Sequence, residues 1–268
     1  MSIQNTIERV QINQNWNSYT PIEHETWAKL YNRQIDILKD IACEEFLHGI
    51  NILNLNDGGI PDFDKINPLL FEKTGWKIIA VEGLVEDEDF FELLANRIFP
   101  AGQFIRKPEQ FDYISEPDIF HDVFGHVPLL TNPIFADYME AYGKGGMRAI
   151  EFNSLKELAR LYWYSVEFGL ISQNDQLKIY GAGILSSPLE SVYSVQSHEP
   201  IRIKFDLLRL MKTEYQIDRL QENYFVIESF QELFDATLQD FAKIYETLRL
   251  LEVHAPKIIL QDDKIYHI

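Results

Sequence analysis

Apolar side chains return at three- and four-residue steps through Trp27, Leu30, Tyr31, Ile35, Leu38, Ile41, Ala42 and Phe46. This period commits the stretch to a long amphipathic helix with one buried face. Pro21 opens that helix and Gly49 closes it, as proline and glycine do at helix ends. The same period returns over residues 88–99, 154–168, 203–213 and 229–251. Strand-like runs are short, at residues 76–84 and 224–227. Residues 1–20 carry few apolar residues in any period and read as a loosely held arm. The stretch NDGGIPDFDKINP, with a turn at Asp57-Gly58-Gly59, and the Gly-, Ser- and Pro-rich residues 179–200 read as loops. No repeat or linker divides the chain. The expected fold is mainly α with a few short β-strands, a single domain over residues 21–268.

A chain of 268 residues buries most of its apolar surface, so its stability needs no disulfide or structural metal. Cys43 is the single cysteine, which rules out an internal disulfide and fits a reducing compartment. The 24 basic and 42 acidic side chains give a net charge of −18, unsuited to nucleic acid or an anionic membrane. The N-terminus is polar, and no apolar run approaches the ~18 residues of a membrane span. The expectation is a cytoplasmic protein, a monomer or small homo-oligomer, acting on small molecules.

The chemistry concentrates between residues 115 and 187. Ser115-Glu116-Pro117-Asp118 has the form of a helix start, and Gly125 that of a stop. His121 lies between them and His126 directly after the stop. On a continuous α-helix a five-residue step rotates by about 140°, and the two rings diverge. A helix broken at Gly125, with Pro128 stiffening the exit, lets His126 swing back. Two imidazoles are half of a transition-metal site. Glu167, near the end of the apolar helix Tyr162-Trp163-Tyr164-Ser165-Val166-Glu167-Phe168, supplies a buried carboxylate that needs a cation. Either a metal or Arg160 answers that need. Two histidines and one carboxylate form the facial arrangement of oxygen-activating ferrous enzymes.

Ser-Glu-Pro-Asp-Ile-Phe-His-Asp-Val-Phe-Gly-His-Val-Pro (115–128) resembles the iron-binding signature of the pterin-dependent aromatic amino acid hydroxylases. Tyr-Trp-Tyr-Ser-Val-Glu-Phe-Gly-Leu (162–170) resembles that family's segment carrying the iron-ligating glutamate. Tyr-Gly-Ala-Gly-Ile-Leu-Ser-Ser (180–187) resembles a third segment near its substrate pocket. The likeness spans about residues 75–230 and is greatest to the short bacterial members, which are little more than the catalytic domain.

The resemblance implies the catalytic-domain fold of that family and an Fe(II) ion bound by His121, His126 and Glu167. Arg106 would grip the substrate carboxylate with its planar fork, and Asp118 would hold Arg106 while also reading as the acid of a helix cap. Trp163 and Phe168 would flank the substrate ring, and Ser186 would support the iron site and the amino acid backbone. Val85, Phe90, Asp122 and Tyr162 match positions lining a tetrahydropterin. By the residues alone, Trp163, Phe168 and Phe90 equally suit plain core packing. Three departures stand on the pterin side or near it: Asp122 where animal members carry Glu, Ser115 where many carry Pro, and the acidic run Glu86-Asp87-Glu88-Asp89.

Trp163 fits the members acting on phenylalanine or tyrosine. Ile217 matches a position that is apolar where the substrate ring bears no hydroxyl. The resemblance therefore implies hydroxylation of L-phenylalanine to L-tyrosine with O2 and a reduced pterin. Two rival readings carry less. The adjacent His121-Asp122 pair also marks an all-α family of metal-dependent phosphohydrolases, whose further ligands and basic residues find no convincing spacing here. A non-catalytic helical interaction module would need no metal.

Overall fold

The computed structural model describes residues 3–55 and 58–268. Twelve α-helices and seven strands are found among them: α1 (Ile3–Val10), β1 (Gln11–Ile12), α2 (Pro21–Leu38), α3 (Glu44–Ile52), α4 (Phe63–Thr74), β2 (Lys77–Val81), α5 (Asp87–Ala95), β3 (Ile98–Gly102), α6 (Pro133–Glu151), α7 (Leu155–Tyr162), β4 (Leu170–Gln173), β5 (Gln176–Ile179), α8 (Ala182–Leu185), α9 (Pro188–Gln196), β6 (Ile201–Lys204), α10 (Leu207–Met211), β7 (Asn223–Ile227), α11 (Phe230–Thr237) and α12 (Phe241–Leu250). Two segments, Phe120–His126 and Trp163–Glu167, are π-helices. Asp57 of the expected turn lies outside the described residues.

The expectation of a mainly α fold holds. Helix α2 starts at a complete capping box: Thr20 Oγ1 accepts from the Glu23 amide while Glu23 reaches back to the Thr20 amide, with Pro21 in the first turn. The long helix of the sequence reading is two helices. Between them Ile41 O accepts from Ile179 N at 2.9 Å and Cys43 N donates to Ile179 O at 2.9 Å, so the chain leaves the helix to pair with the end of β5. Residues 133–151 form the longest helix, capped by Asn132 and burying Phe135, Tyr138, Met139, Tyr142, Gly146 and Ala149 on one stripe.

The arm is not loose. Ile3, Ile7 and Val10 of α1 pack on Ile79, Val81, Leu93 and Ile98. Arg9 pairs with Asp89, Thr6 donates to Glu92, and Ile12 pairs with Ala80. Trp16 Nε1 donates to the Ile60 carbonyl at 2.7 Å, and the Tyr19 hydroxyl donates to Gln103 O.

Other boundaries moved for local reasons. Residues 98 and 99 leave the expected helix: the chain turns at Arg97 (φ 57), and residues 98–102 form β3, parallel to β2 in a sheet of order β1-β2-β3. Both faces of β3 are buried, so its apolar run lacks the alternation that marks a strand. Residues 179–200 are not simply loop. Ser187 accepts from the Glu190 amide, Pro188 follows, and α9 begins. Ile201–Lys204 is strand, and residues 229–251 split into α11 and α12 with Asp240 capping the second. The second sheet runs β5-β4-β7-β6, with β4–β7 and β6–β7 parallel. One core joins the α2, α3, α6, α7 and β7 side chains, among them Trp27, Phe46, Tyr138, Leu161 and Phe225. No helix among the described residues is long and apolar enough to cross a membrane.

Candidate metal centre

Asp118 starts the first ligand-bearing segment. Its Oδ1 accepts from the His121 amide at 3.1 Å and its carbonyl accepts from the Asp122 amide at 3.0 Å. The cap is therefore Asp118 itself, not Ser115, which is exposed. Gly125 does not end the helix. Residues 120–126 continue through it as a π-helix, whose wider turn carries His126 towards His121. Gly125 is required for another reason. A Cβ there would stand 3.0 Å from the Ala182 carbonyl oxygen and 3.1 Å from the Ala182 Cβ.

Glu167 ends a second π-turn, in which the Phe168 amide reaches back to Trp163 O at 2.8 Å. Its carboxylate lies 3.2 Å from His126 Nε2 and 3.6 Å from His121 Nε2, and the two Nε2 atoms are 3.2 Å apart. Among the described residues, these three form the one group of His, Cys, Asp and Glu side chains whose donor atoms all lie within 4.8 Å of one another. Ligands about 2.1 Å from a shared ion at right angles stand about 3 Å apart, close to these separations. Arg160, the alternative partner, donates instead to Met211 O at 3.1 Å.

The protonation chemistry also fits a cation. Ser186 Oγ donates its one proton to Ala182 O at 2.8 Å, so at 2.9 Å it accepts from His121 Nδ1. That assigns the His121 lone pair to Nε2, facing Glu167 and His126. Burial would push the Glu167 carboxyl up, but the imidazoles of His126 and His121 and the Gly183 amide outweigh it and hold it at about 2. Burial lowers the His126 imidazole, and the Glu167 carboxylate more than reverses that. Acceptors thus converge on a point that demands a proton or a metal ion.

Arg106 and Asp118 form a buried bidentate pair: Arg106 Nε donates to Oδ2 at 2.8 Å and Nη2 to Oδ1 at 2.9 Å, while the Arg106 amide adds a bond to Oδ2 at 2.9 Å. Burial raises the Asp118 carboxyl, but Arg106 outweighs that and holds it below its ordinary value. Arg106 Nη1 has no protein partner among the described residues. Trp163 and Phe168 face each other at 4.7 Å between ring centroids.

The expected pterin residues are placed unevenly. Phe90 meets Tyr162 at 5.9 Å, and Tyr162 lies 6.3 Å from the His126 ring, so these two lead to the metal site. Asp122 Oδ2 accepts from the Gly102 amide at 2.7 Å, and burial pushes its carboxyl up. Asp122 is outside the metal group, which removes the pairing on which the phosphohydrolase reading relied. Val85 packs on the cluster of Ile79, Val81, Leu93 and Ile98. Ile217 is 77% exposed, in the irregular segment before β7.

Several residues near the site carry no signal in the periodicity. Phe99 packs its ring 5.1 Å from that of His126, Tyr215 stacks on Trp163 at 4.2 Å, and Gln221 Oε1 accepts from Trp163 Nε1 at 2.9 Å. These contacts join residues distant in the chain.

Comparison with known proteins agrees with this geometry. The profile of the family described as biopterin-dependent aromatic amino acid hydroxylase matches residues 10–254. The phenylalanine-4-hydroxylase of Caulobacter vibrioides is 57% identical over 237 residues, covering 88% of this chain and 81% of that protein. That of Ralstonia nicotianae is 54% identical over 247 residues, covering 92% and 79%. The crystal structure of phenylalanine hydroxylase from Chromobacterium violaceum bound to cobalt superposes with a TM-score of 0.94 at 51% identity, covering 96% of this chain and 93% of that one. A match over nearly the whole described chain, with two imidazoles and a carboxylate gathered at one point, places this protein in the biopterin-dependent aromatic amino acid hydroxylase family.

Proposed function

We propose that this protein hydroxylates the ring of L-phenylalanine to give L-tyrosine, using O2 and a tetrahydropterin at an Fe(II) ion held by His121, His126 and Glu167. The convergence of those three donors within 4.8 Å carries the reading. The similarity to phenylalanine-4-hydroxylases supports the choice of substrate. When bound, iron and reduced pterin together supply the activation of O2.

The chain's own residues do the rest. Three protein donors on one face leave the remaining positions open to small molecules. Arg106 spends Nε and one Nη2 proton on Asp118 and keeps Nη1 for the substrate carboxylate. The Asp118 carboxylate fixes the guanidinium plane, so the amino acid enters in one orientation. Trp163 and Phe168 form an aromatic wall against the substrate ring and exclude water. Ser186 holds the His121 ring in the tautomer that presents Nε2. Phe90 and Tyr162 offer ring faces to the pterin, with Asp122 and Val85 in supporting positions. Ile217 is the apolar position that suits a substrate ring bearing no hydroxyl.

The catalytic unit is the single domain built by residues 21–268, to which residues 3–20 add cover. A net charge of −18 and one buried cysteine support a cytoplasmic monomer or small homo-oligomer without a nucleic-acid partner. The test is direct. The purified protein is loaded with Fe(II), given a reduced pterin and O2, and assayed with phenylalanine, tyrosine and tryptophan in parallel. Tyrosine formation from phenylalanine, abolished in Glu167→Gln together with weaker iron binding, is the expected result. Full activity of Glu167→Gln removes that residue from the centre.

A further inference from the structure

Gln221 is 4% exposed and uses both ends of its amide. Oε1 accepts from Trp163 Nε1 at 2.9 Å, and Nε2 donates to the carbonyls of Gln216 at 2.8 Å and Arg219 at 3.2 Å. Its backbone amide donates to Glu190 Oε1 at 3.0 Å, and the Tyr224 hydroxyl donates to the same oxygen. The indole also stacks on Tyr215 at 4.2 Å with an interplanar angle of 14°. One irregular segment therefore grips Trp163 twice, through its π-face and through its N–H.

The chemistry of this position is narrow. An indole only donates, so its partner must accept, while two loop carbonyls need a donor. An amide does both. A carboxylate could not donate to the carbonyls, and a lysine or arginine could not accept from the indole. A Trp163 freed of this bond keeps its burial but loses the constraint on rotation about its side-chain bonds.

We infer that Gln221 is a positioning residue: by fixing the rotation of the Trp163 indole through its N–H, it sets where the substrate ring sits relative to the metal. This rests on the reading of Trp163 as a wall of the phenylalanine pocket. The hydrogen bonds of Gln221 go to Trp163, Glu190, Gln216 and Arg219, none of them a metal ligand or a residue assigned to the pterin, so its effect belongs to substrate placement.

A double-mutant cycle on Gln221→Met and Trp163→Phe tests it. Gln221→Met is expected to cut kcat/KM for phenylalanine roughly tenfold, the scale of one buried hydrogen bond left unmade. Less tyrosine should form per pterin oxidised, with KM for the pterin and metal stoichiometry unchanged. In the Trp163→Phe background, which lacks the indole N–H, Gln221→Met should do nothing more to that ratio. A second readout needs no turnover. The four tryptophans give four indole N–H signals in a nitrogen-15 spectrum of the protein loaded with diamagnetic Zn(II), and Trp163→Phe identifies one of them. Its slow exchange in wild type should become roughly tenfold faster in Gln221→Met.

Additive losses in the two backgrounds overturn the inference, because they mean Gln221 acts through loop stability and not through the indole. Exchange of the Trp163 signal as slow as in wild type overturns it as well. A wild-type protein that hydroxylates no aromatic amino acid strikes the proposed function instead, and the positioning role falls with it. An active wild type with a fully coupled Gln221→Met strikes the positioning role alone.

Discussion

Replacing Asp118 by Asn separates two jobs that one buried side chain performs. Asp118 is 0% exposed and accepts four N–H groups, three from Arg106 and one from His121. Asparagine caps a helix as well as aspartate does, so the bond from the His121 amide to Oδ1 survives. At Oδ2 an amide nitrogen now faces Arg106 Nε and the Arg106 amide, two donors formerly bonded at 2.8 and 2.9 Å. Two charge-assisted bonds at about 1.5–3 kcal/mol each give roughly 3–6 kcal/mol. Removing one partner of a buried ion pair costs about 3–5 kcal/mol, and Arg106 is 6% exposed, so its charge is left without compensation. The two routes agree on about 4 kcal/mol. At about 2–4 °C per kcal/mol for a chain of this size, Tm falls by about 10 °C. The assay is thermal unfolding of the metal-free protein followed by circular dichroism, with KM for phenylalanine measured on the iron-loaded form. KM should rise at least tenfold while KM for the pterin holds. A Tm within about 2 °C of wild type refutes the ion-pair argument, and an unchanged KM for phenylalanine refutes the role of Arg106 in gripping the carboxylate.

Three further substitutions probe the surroundings of the same centre. Ser186→Ala removes the acceptor of His121 Nδ1, and metal affinity measured by chelator competition should fall about 10–100-fold; an unchanged affinity means Ser186 does not hold that ring. Gly183→Ala places a Cβ 2.9 Å from Phe168 Cζ, 3.1 Å from the Glu167 carbonyl oxygen and 3.2 Å from Glu167 Oε2, so metal affinity should drop while overpacking costs about 1–3 kcal/mol of stability. Glu190→Gln keeps an acceptor for the Tyr224 hydroxyl and the Gln221 amide but cannot ionise. Burial pushes the Glu190 carboxyl up, against the pull of Tyr224 and Gln221, so the folded protein keeps this proton to higher pH than the unfolded chain. The contribution of Glu190 to stability is present below its unfolded pKa and lost as pH rises through the folded value. The variant should therefore melt above wild type at pH 7.5 and alongside it near pH 4, and a gap independent of pH counts against this.

The site was legible where its residues are close in the chain. His121, His126 and the Asp118 cap lie within nine residues, and Glu167 stands out as an acid in an aromatic helix. Gly125 was misleading, because a glycine that ends a helix and one that admits a neighbouring carbonyl look alike in a sequence. Strand β3 was hidden by burial on both faces, which erases the two-residue period. Helix α9 had its Ser187-Pro188-Leu189-Glu190 start in plain view, but the surrounding glycine and serine outweighed it. In the arm, Ile3, Ile7 and Val10 do stand at helical spacing, yet two turns are too few to declare a helix without the Leu93 and Ile98 surface that receives them. Gln221 and Phe99 could not be found at all, since their partners lie 58 and 27 residues away in sequence.

The two π-turns explain why three separated motifs occur together. A five-residue histidine step does not converge on an α-helix, and the glutamate sits at the end of its helix, where side chains splay outward. Each segment widens its turn by one residue to present its ligand, and each gives up regular α-helical bonding to do so. Helix α8 compensates both. Its Ala182 backs against Gly125 in the first segment, its Ser186 holds the His121 ring, and the Gly183 amide bonds the Glu167 carboxylate in the second. At Gly181 a side chain would collide with the Glu167 carbonyl and the Gly169 amide. The glycines of Tyr180-Gly181-Ala182-Gly183 thus act as a spacer that lets one short helix touch both ligand-bearing segments. Either segment alone would be a strained helix end with an unsatisfied imidazole or carboxylate; wedged together by α8, they leave a point that only a proton or a cation can fill.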